Sequence, residues 1–450
     1  MSNKKRRVSD LSFKYTGTEK REDIPKDVTV VRFHSSVTEV DDHVFCDCEQ
    51  LKEVILNEGI KKIGVGSFAS CKSLESITFP STLLEISNRA FWMCEMLNNI
   101  TFPTTLLTLG DYAFYGSINL TDLVINEGLL RIGYESFYRC ESLKHITIPS
   151  TVTEIGYGSF CACSRLETVT LNKSMQTIGE SAFAGCSSLK CIAIPHTVTE
   201  IRANTFYNCR NMREVGLHEG LLRIGYQSFY GCQNLEHITI PSTVTNIGYG
   251  SFHACSRLET VSLNKSLNTI GELAFAGCLA MTSITIPHAV TEIGANAFYN
   301  CRNMREVGLH KGIRCIHQRA FEGCSSLERI TFPTLSTRLD TIIQDDKYVD
   351  VENKVDETRG PIERRGSELF IPLLFSSEVY TNWIRKRENL RKINRVLAYY
   401  EMREATTLFE LAIWKAKMDE GETRQCINRD EYRIDIPGPV KNAILQYLNV

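Results

Sequence analysis

The sequence predicts a repeat solenoid, and three observations carry that expectation. Phenylalanine recurs at one interval: Phe45, Phe68, Phe91, Phe114, Phe137, Phe160, Phe183, Phe206, Phe229, Phe252, Phe275, Phe298 and Phe321 each follow the last by 23 residues. Counting from each Phe, a Cys stands at +3 in twelve of the thirteen copies, and apolar residues follow at +6, +9 and +11. Residues 129–220 also align without gaps on 221–312, with 71 identities in 92 positions, which marks an internal duplication of four repeats. A period of roughly 20 to 50 residues signifies stacked units, none of which can bury its apolar face alone.

Each element of the coil follows from the spacing. Phe137, Cys140 and Leu143 are three apart, the spacing of a short helical turn, whereas Ile146 and Ile148 are two apart, the spacing of a strand. His145 and Thr147 then face outward, and Pro149 ends the strand. Val152 and Ile155 bring two more apolar residues inward, and Gly156 permits the corner that leads to Phe160. From Phe114 to Phe298 the +12 position alternates between Pro and Asn or His, a longer period of 46 residues.

These residues follow the leucine-rich pattern L-x-x-L-x-L, with Ile and Val in the later places. The run from Leu235 through Pro241, Gly248 and Gly250 to Phe252 resembles the BspA-type subclass of leucine-rich repeats, and the likeness covers about residues 30 to 340. The resemblance implies a parallel-stranded solenoid used as a binding scaffold and no reaction, and many such proteins act at cell surfaces or in adhesion. The tail, from Tyr399-Tyr400-Glu401 through Trp414 and over Ile436-Pro-Gly-Pro-Val440, resembles the end piece of BspA-type proteins in unicellular algae.

Four regions are expected. Residues 1–23 read as a disordered basic N-terminus, and 24–339 as the solenoid of about thirteen coils, opened by an incomplete one bearing Val31 and Phe33. Residues 340–366 read as a charged linker, since Gln344 stands where the next Phe would fall. Residues 367–450 read as a helical C-terminal region, with Val379, Trp383, Leu390, Ile393 and Leu397 near one face and six Lys or Arg between Arg385 and Arg395 on the others. A parallel solenoid needs a polar cover on its last coil, and these helices are the expected cap.

Composition narrows the function. The net charge is −2 with 43% hydrophobic residues, so no global field attracts nucleic acid, and no apolar run approaches the length of a membrane helix. The basic start, Lys4-Lys5-Arg6-Arg7, lacks an apolar stretch behind it; cytoplasm or nucleus is the expected location. Of the 17 cysteines, twelve occupy the +3 site, where Cys behaves as a small hydrophobe, and only Ser117 interrupts the row. Cys46 with Cys48, and Cys161 with Cys163, are close pairs without the further ligands a metal site needs. His196 and His218, repeated as His288 and His310, read as exposed residues. No phosphate loop, dinucleotide fingerprint, nucleophile elbow or zinc pattern occurs, so neither an enzyme nor a cofactor is expected.

What remains is the outward strand face. The +10 position carries a threonine ladder, whereas the +7 and +8 positions vary: Lys144 and His145, Arg213 and Glu214, Glu236 and His237, Arg305 and Glu306. Variation on a fixed scaffold is where partner selectivity is encoded, so these eight residues are the candidate contacts for a protein partner. Ser9, after Arg6 and Arg7, fits a basophilic kinase site. The reading is a protein-interaction scaffold. Cell-surface recognition, and nucleic-acid association through the terminal basic clusters, are the alternatives.

Overall fold

The computed structural model describes residues 11–333, without 311, 312, 314 and 318, together with 363–365 and 368–372. They fall in two compact units, Met1–Leu235 and Glu236–Val450.

In the first unit each full coil contributes to two parallel sheets. Three-residue strands such as His145–Thr147, Thr168–Thr170 and Cys191–Ala193 stack one repeat apart, with Ile146 opposite Val169 and Ile192 opposite Val215. These β-branched central residues are buried while both flanks of each strand face solvent, as a pleated strand with one covered face requires. The inward turn expected at Ile155 is itself a second strand, Glu154–Ile155, paired with Arg131–Ile132 and Thr177–Ile178. Between the sheets the Phe rings stack from Phe45 to Phe229, with centroids 5.0 to 5.9 Å apart. The second unit repeats this arrangement, with Phe252, Phe275, Phe298 and Phe321 stacked at 5.2 to 5.5 Å.

The expected short helical turns are not helices. At the Phe corner the residues two before and two after each Phe adopt left-handed backbone, as at Glu135 (φ 47°) and Arg139 (φ 58°) around Phe137. A helix cannot accommodate that alternation, which aims successive amides along the stacking direction instead of back along the chain. The amides of Glu135, Phe137 and Arg139 donate to the carbonyls of Tyr157, Ser159 and Cys161, each at 2.8 Å, so the corner is a third hydrogen-bonded ladder. Left-handed backbone at non-Gly residues costs about 1 kcal/mol or more each, a strain offset by the hydrogen bonds of the ladder. The role expected of Gly156 belongs partly to Gly158, which has φ +57°. Gly156 instead allows close approach, since a Cβ there would lie 2.8 Å from the Ile132 carbonyl oxygen.

Both ends depart from expectation. Ser12–Tyr15, within the segment expected to be disordered, is a strand parallel to Val30–Phe33. Tyr15 is buried edge-on against Phe33 and Phe45, and its hydroxyl donates to Asp41 at 2.8 Å. Residues 1–10, including Lys4 to Arg7 and Ser9, lie outside the described residues. In the second unit Arg329–Pro333 pairs antiparallel with Glu368–Pro372, which pairs antiparallel with Glu363–Arg365. The sheet is therefore continued by a hairpin drawn from the expected linker and the start of the expected helical region. Leu369-Phe370-Ile371, bounded by Gly366 and Pro372, is a short apolar run of strand length, and the helical periodicity starts only beyond it. The segments bearing Trp383, Ile393, Leu397, Leu408 and Trp414 lie outside the described residues.

The cysteine ladder does more than fill space. Cys163 Sγ donates to the Phe137 carbonyl and Cys186 Sγ to the Phe160 carbonyl, both at 3.2 Å, and the bond recurs at Cys278 and Cys301 in the second unit. Ser117 is equally buried, yet its hydroxyl has no hydrogen-bond partner. The C–O bond is shorter than C–S, so an oxygen there falls short of the Phe carbonyl. Two outcomes follow for urea denaturation. Phe137→Ala should destabilise by about 3 to 5 kcal/mol, the usual cost of truncating a buried aromatic, and a loss below about 1 kcal/mol would contradict the stacked ladder. Ser117→Cys should stabilise by about 1 kcal/mol, by replacing an unpartnered buried hydroxyl with a thiol that reaches its acceptor.

Candidate functional site

The candidate contacts lie where the sheet register places them. In the first unit Lys144, His145, Arg213 and Glu214 are all exposed. His145 Nδ1 hydrogen-bonds Thr168 Oγ1 at 2.7 Å, and between the two candidate pairs Lys190 Nζ meets Glu167 Oε2 at 2.6 Å. The pairs are three coils apart, roughly 14 Å at about 4.8 Å per strand, so they do not converge on one site. In the second unit His237 and Arg305 are exposed, while Glu236 and Glu306 are half-buried. His237 Nδ1 bonds Thr260 Oγ1 at 2.7 Å, repeating the contact of His145, and Glu306 Oε2 lies 3.9 Å from Arg329 Nη1. The face is thus a linear array of separated polar groups.

The structure adds a groove that sequence reading missed. Thr282, Ser283, Asn303, Arg305, Glu306 and Ser326 line an open space of about 630 Å³ on the second unit. Arg305 and Glu306 were already candidates, but the other four were not. A signal existed in the repeat register, since four repeats earlier Thr282 and Ser326 correspond to Lys190 and Asn234, both longer.

The other candidates separate by burial. The expectation of exposed histidines fails at His310, which is 3% exposed and packs edge-on against His288 at 5.1 Å. Burial, and then the charge of His288, hold its imidazole below the usual range. The +12 position explains the burial: Asn172 Nδ2 donates to the carbonyls of Pro149 and Val152, and Asn264 to those of Pro241 and Val244. Donor-bearing side chains thus alternate with prolines to satisfy the carbonyls of the coil before. Among the described residues no three His, Cys, Asp or Glu side chains are arranged to hold a metal. Burial pushes Cys48 and Cys161 up to about 11, so neither close pair presents thiolates at neutral pH. The basic helix expected around Arg385 to Arg395 lies outside the described residues. No helix among the described residues is long and apolar enough to cross a membrane.

Comparison with known proteins agrees with this architecture. A family model described as the BspA type leucine rich repeat region matches residues 25–143, 130–259 and 222–345. A leucine-rich repeat protein from Bacteroides ovatus is similar at 30% identity and a TM-score of 0.63, over 67% of this chain and 78% of that one. A leucine rich cell surface protein from Faecalibacterium prausnitzii shares 24% identity with a TM-score of 0.41, over 70% and 81% of the two chains. No curated protein sequence matches the chain.

A thiol reagent distinguishes the ladder from the surface. Cys191, on the exposed face, should label rapidly in the native protein, while Cys140, Cys163, Cys186 and Cys209 should label only on unfolding. Native labelling of those four at the rate of Cys191, read by mass spectrometry, would contradict the buried ladder.

Proposed function

Because the chain belongs to the BspA-type leucine-rich repeat family, we propose that it is a non-enzymatic scaffold that binds a protein partner on the outward face of its three-residue strands. One observation carries the reading. Between the duplicated segments the inward residues Ile146 and Ile192 recur as Ile238 and Ile284, all buried, whereas exposed Lys144 and Lys190 become Glu236 and Thr282. The scaffold is kept while the charge it displays changes, as expected of a surface that selects partners. An array of separated polar groups suits many weak contacts with an extended partner. We place the protein in the cytoplasm or nucleus, a reading supported by the free cysteines among the described residues, which suit a reducing compartment.

Site-specific photocrosslinking in cells tests the face. A photoreactive residue at Thr147 or Thr285, both exposed on the three-residue strands, should capture one and the same set of proteins. The same residue at Gln176 or Asn268, exposed beside the two-residue strands, should not. Equal capture from both faces, or capture only from the control positions, would reject the assignment.

A further inference from the structure

We propose that the groove bounded by Thr282, Asn303, Arg305 and Ser326 is a subsite for a carboxylate side chain on an extended segment of the partner protein, with Arg305 as its anchor. The proposal rests on the strand face being the contact surface, and it specifies which coils and which chemistry.

Positions four repeats apart show how the groove differs from its counterpart in the first unit. At the aligned positions of the first unit Lys190 extends to Glu167 at 2.6 Å, and Asn234 Nδ2 reaches Asn211 Oδ1 at 3.2 Å, tying neighbouring coils together. In the second unit Thr282 replaces that lysine and Ser326 replaces that asparagine, and the space of about 630 Å³ lies between them. Arg213 and Arg305 are aligned and identical, so the two units present the same guanidinium in two different settings. Three lining side chains separate the settings: Thr282, Ser283 and Ser326 stand where Lys190, Cys191 and Asn234 do.

The chemistry of the lining selects the occupant. Glu306 lies 3.9 Å from Arg329, while among the described residues no ion pair engages the guanidinium of Arg305. A planar guanidinium beside the hydroxyls of Thr282, Ser283 and Ser326 and the amide of Asn303 offers several donors to one oxyanion. No aromatic ring lines the groove, so it has no stacking platform for a sugar or a nucleobase. Glu306, and Glu328 on the next coil, disfavour a polyanion but leave room for a single carboxylate. Alternate residues of an extended peptide project on one side, so a peptide lying across the strand face can place one acidic side chain in the groove.

Fluorescence anisotropy with the full chain tests this. The probe is an end-blocked, rhodamine-labelled five-residue peptide of four serines around one central glutamate, and its control has glutamine in place of glutamate. The acidic peptide should bind saturably and about tenfold or more tighter than the control. Arg305→Gln should weaken it about tenfold, and so should Ser326→Asn, which refills the groove without changing charge. Arg223→Gln, which removes the same charge from the exposed side of a two-residue strand, should leave affinity within about twofold. Unchanged unfolding midpoints for the variants keep the comparison valid, and Arg305→Lys serves in place of Arg305→Gln if the latter misfolds, with a smaller loss expected. Equal losses at Arg223 and Arg305 would show a response to charge alone and overturn the groove. Equal binding of both peptides, no saturation up to about 1 mM, or displacement by a short single-stranded DNA of comparable affinity would each overturn the carboxylate subsite, whatever the photocrosslinks show.

Discussion

Every coil must bring its backbone back to the same place after 23 residues, so that its amides meet the carbonyls of its neighbour. The rest of the structure depends on that closure. It is achieved on three sides: by three-residue strands, by two-residue strands, and by the Phe corner, whose amides also point along the stack. Once the backbone is in register, like side chains fall on like, and the Phe rings and Cys thiols become continuous rows. The apolar rows provide most of the driving force, while the hydrogen-bond ladders fix the spacing at which those rows fit. Since each coil touches only its neighbours, stability is expected to be local and roughly additive along each unit.

The period made the coil legible in the sequence, along with its inward residues and its outward variation, because spacing reports side-chain direction directly. The corner was misread because a spacing of three between Phe137, Cys140 and Leu143 fits a helical turn and a tight non-helical turn alike. Only the left-handed residues at Glu135 and Arg139 distinguish the two, and neither residue type announces that conformation. Cys at +3 reads as a small hydrophobe, and its hydrogen bond to the Phe carbonyl of the coil before depends on a distance that composition does not encode. At the ends the repeat offers no guide. Tyr15 joins the aromatic cluster outside the 23-residue period, and the hairpin of Glu363–Arg365 and Glu368–Pro372 closes the sheet from segments read as linker and helix.

The candidate surface was legible in part for the same reason. Lys144, His145, Arg213 and Glu214 were identified by variation at outward positions, and they are exposed. Groove formation depends instead on the length of side chains one coil away, as at Thr282 and Ser326, which single-position variation does not reveal. Comparing positions four repeats apart recovers it, since one repeat pattern there carries two sets of surface residues. The fold lies in what these differences leave alone.

Amide hydrogen exchange on the native protein, resolved to single residues, tests the closure of the coil most directly. The account predicts that the amides of Glu135, Phe137 and Arg139 exchange as slowly as those of the strands beside them, because all are bonded to the next coil. Fast exchange at these three corners, with protection confined to the strands, would show that the corners are ordinary surface turns and that the third ladder does not hold the stack.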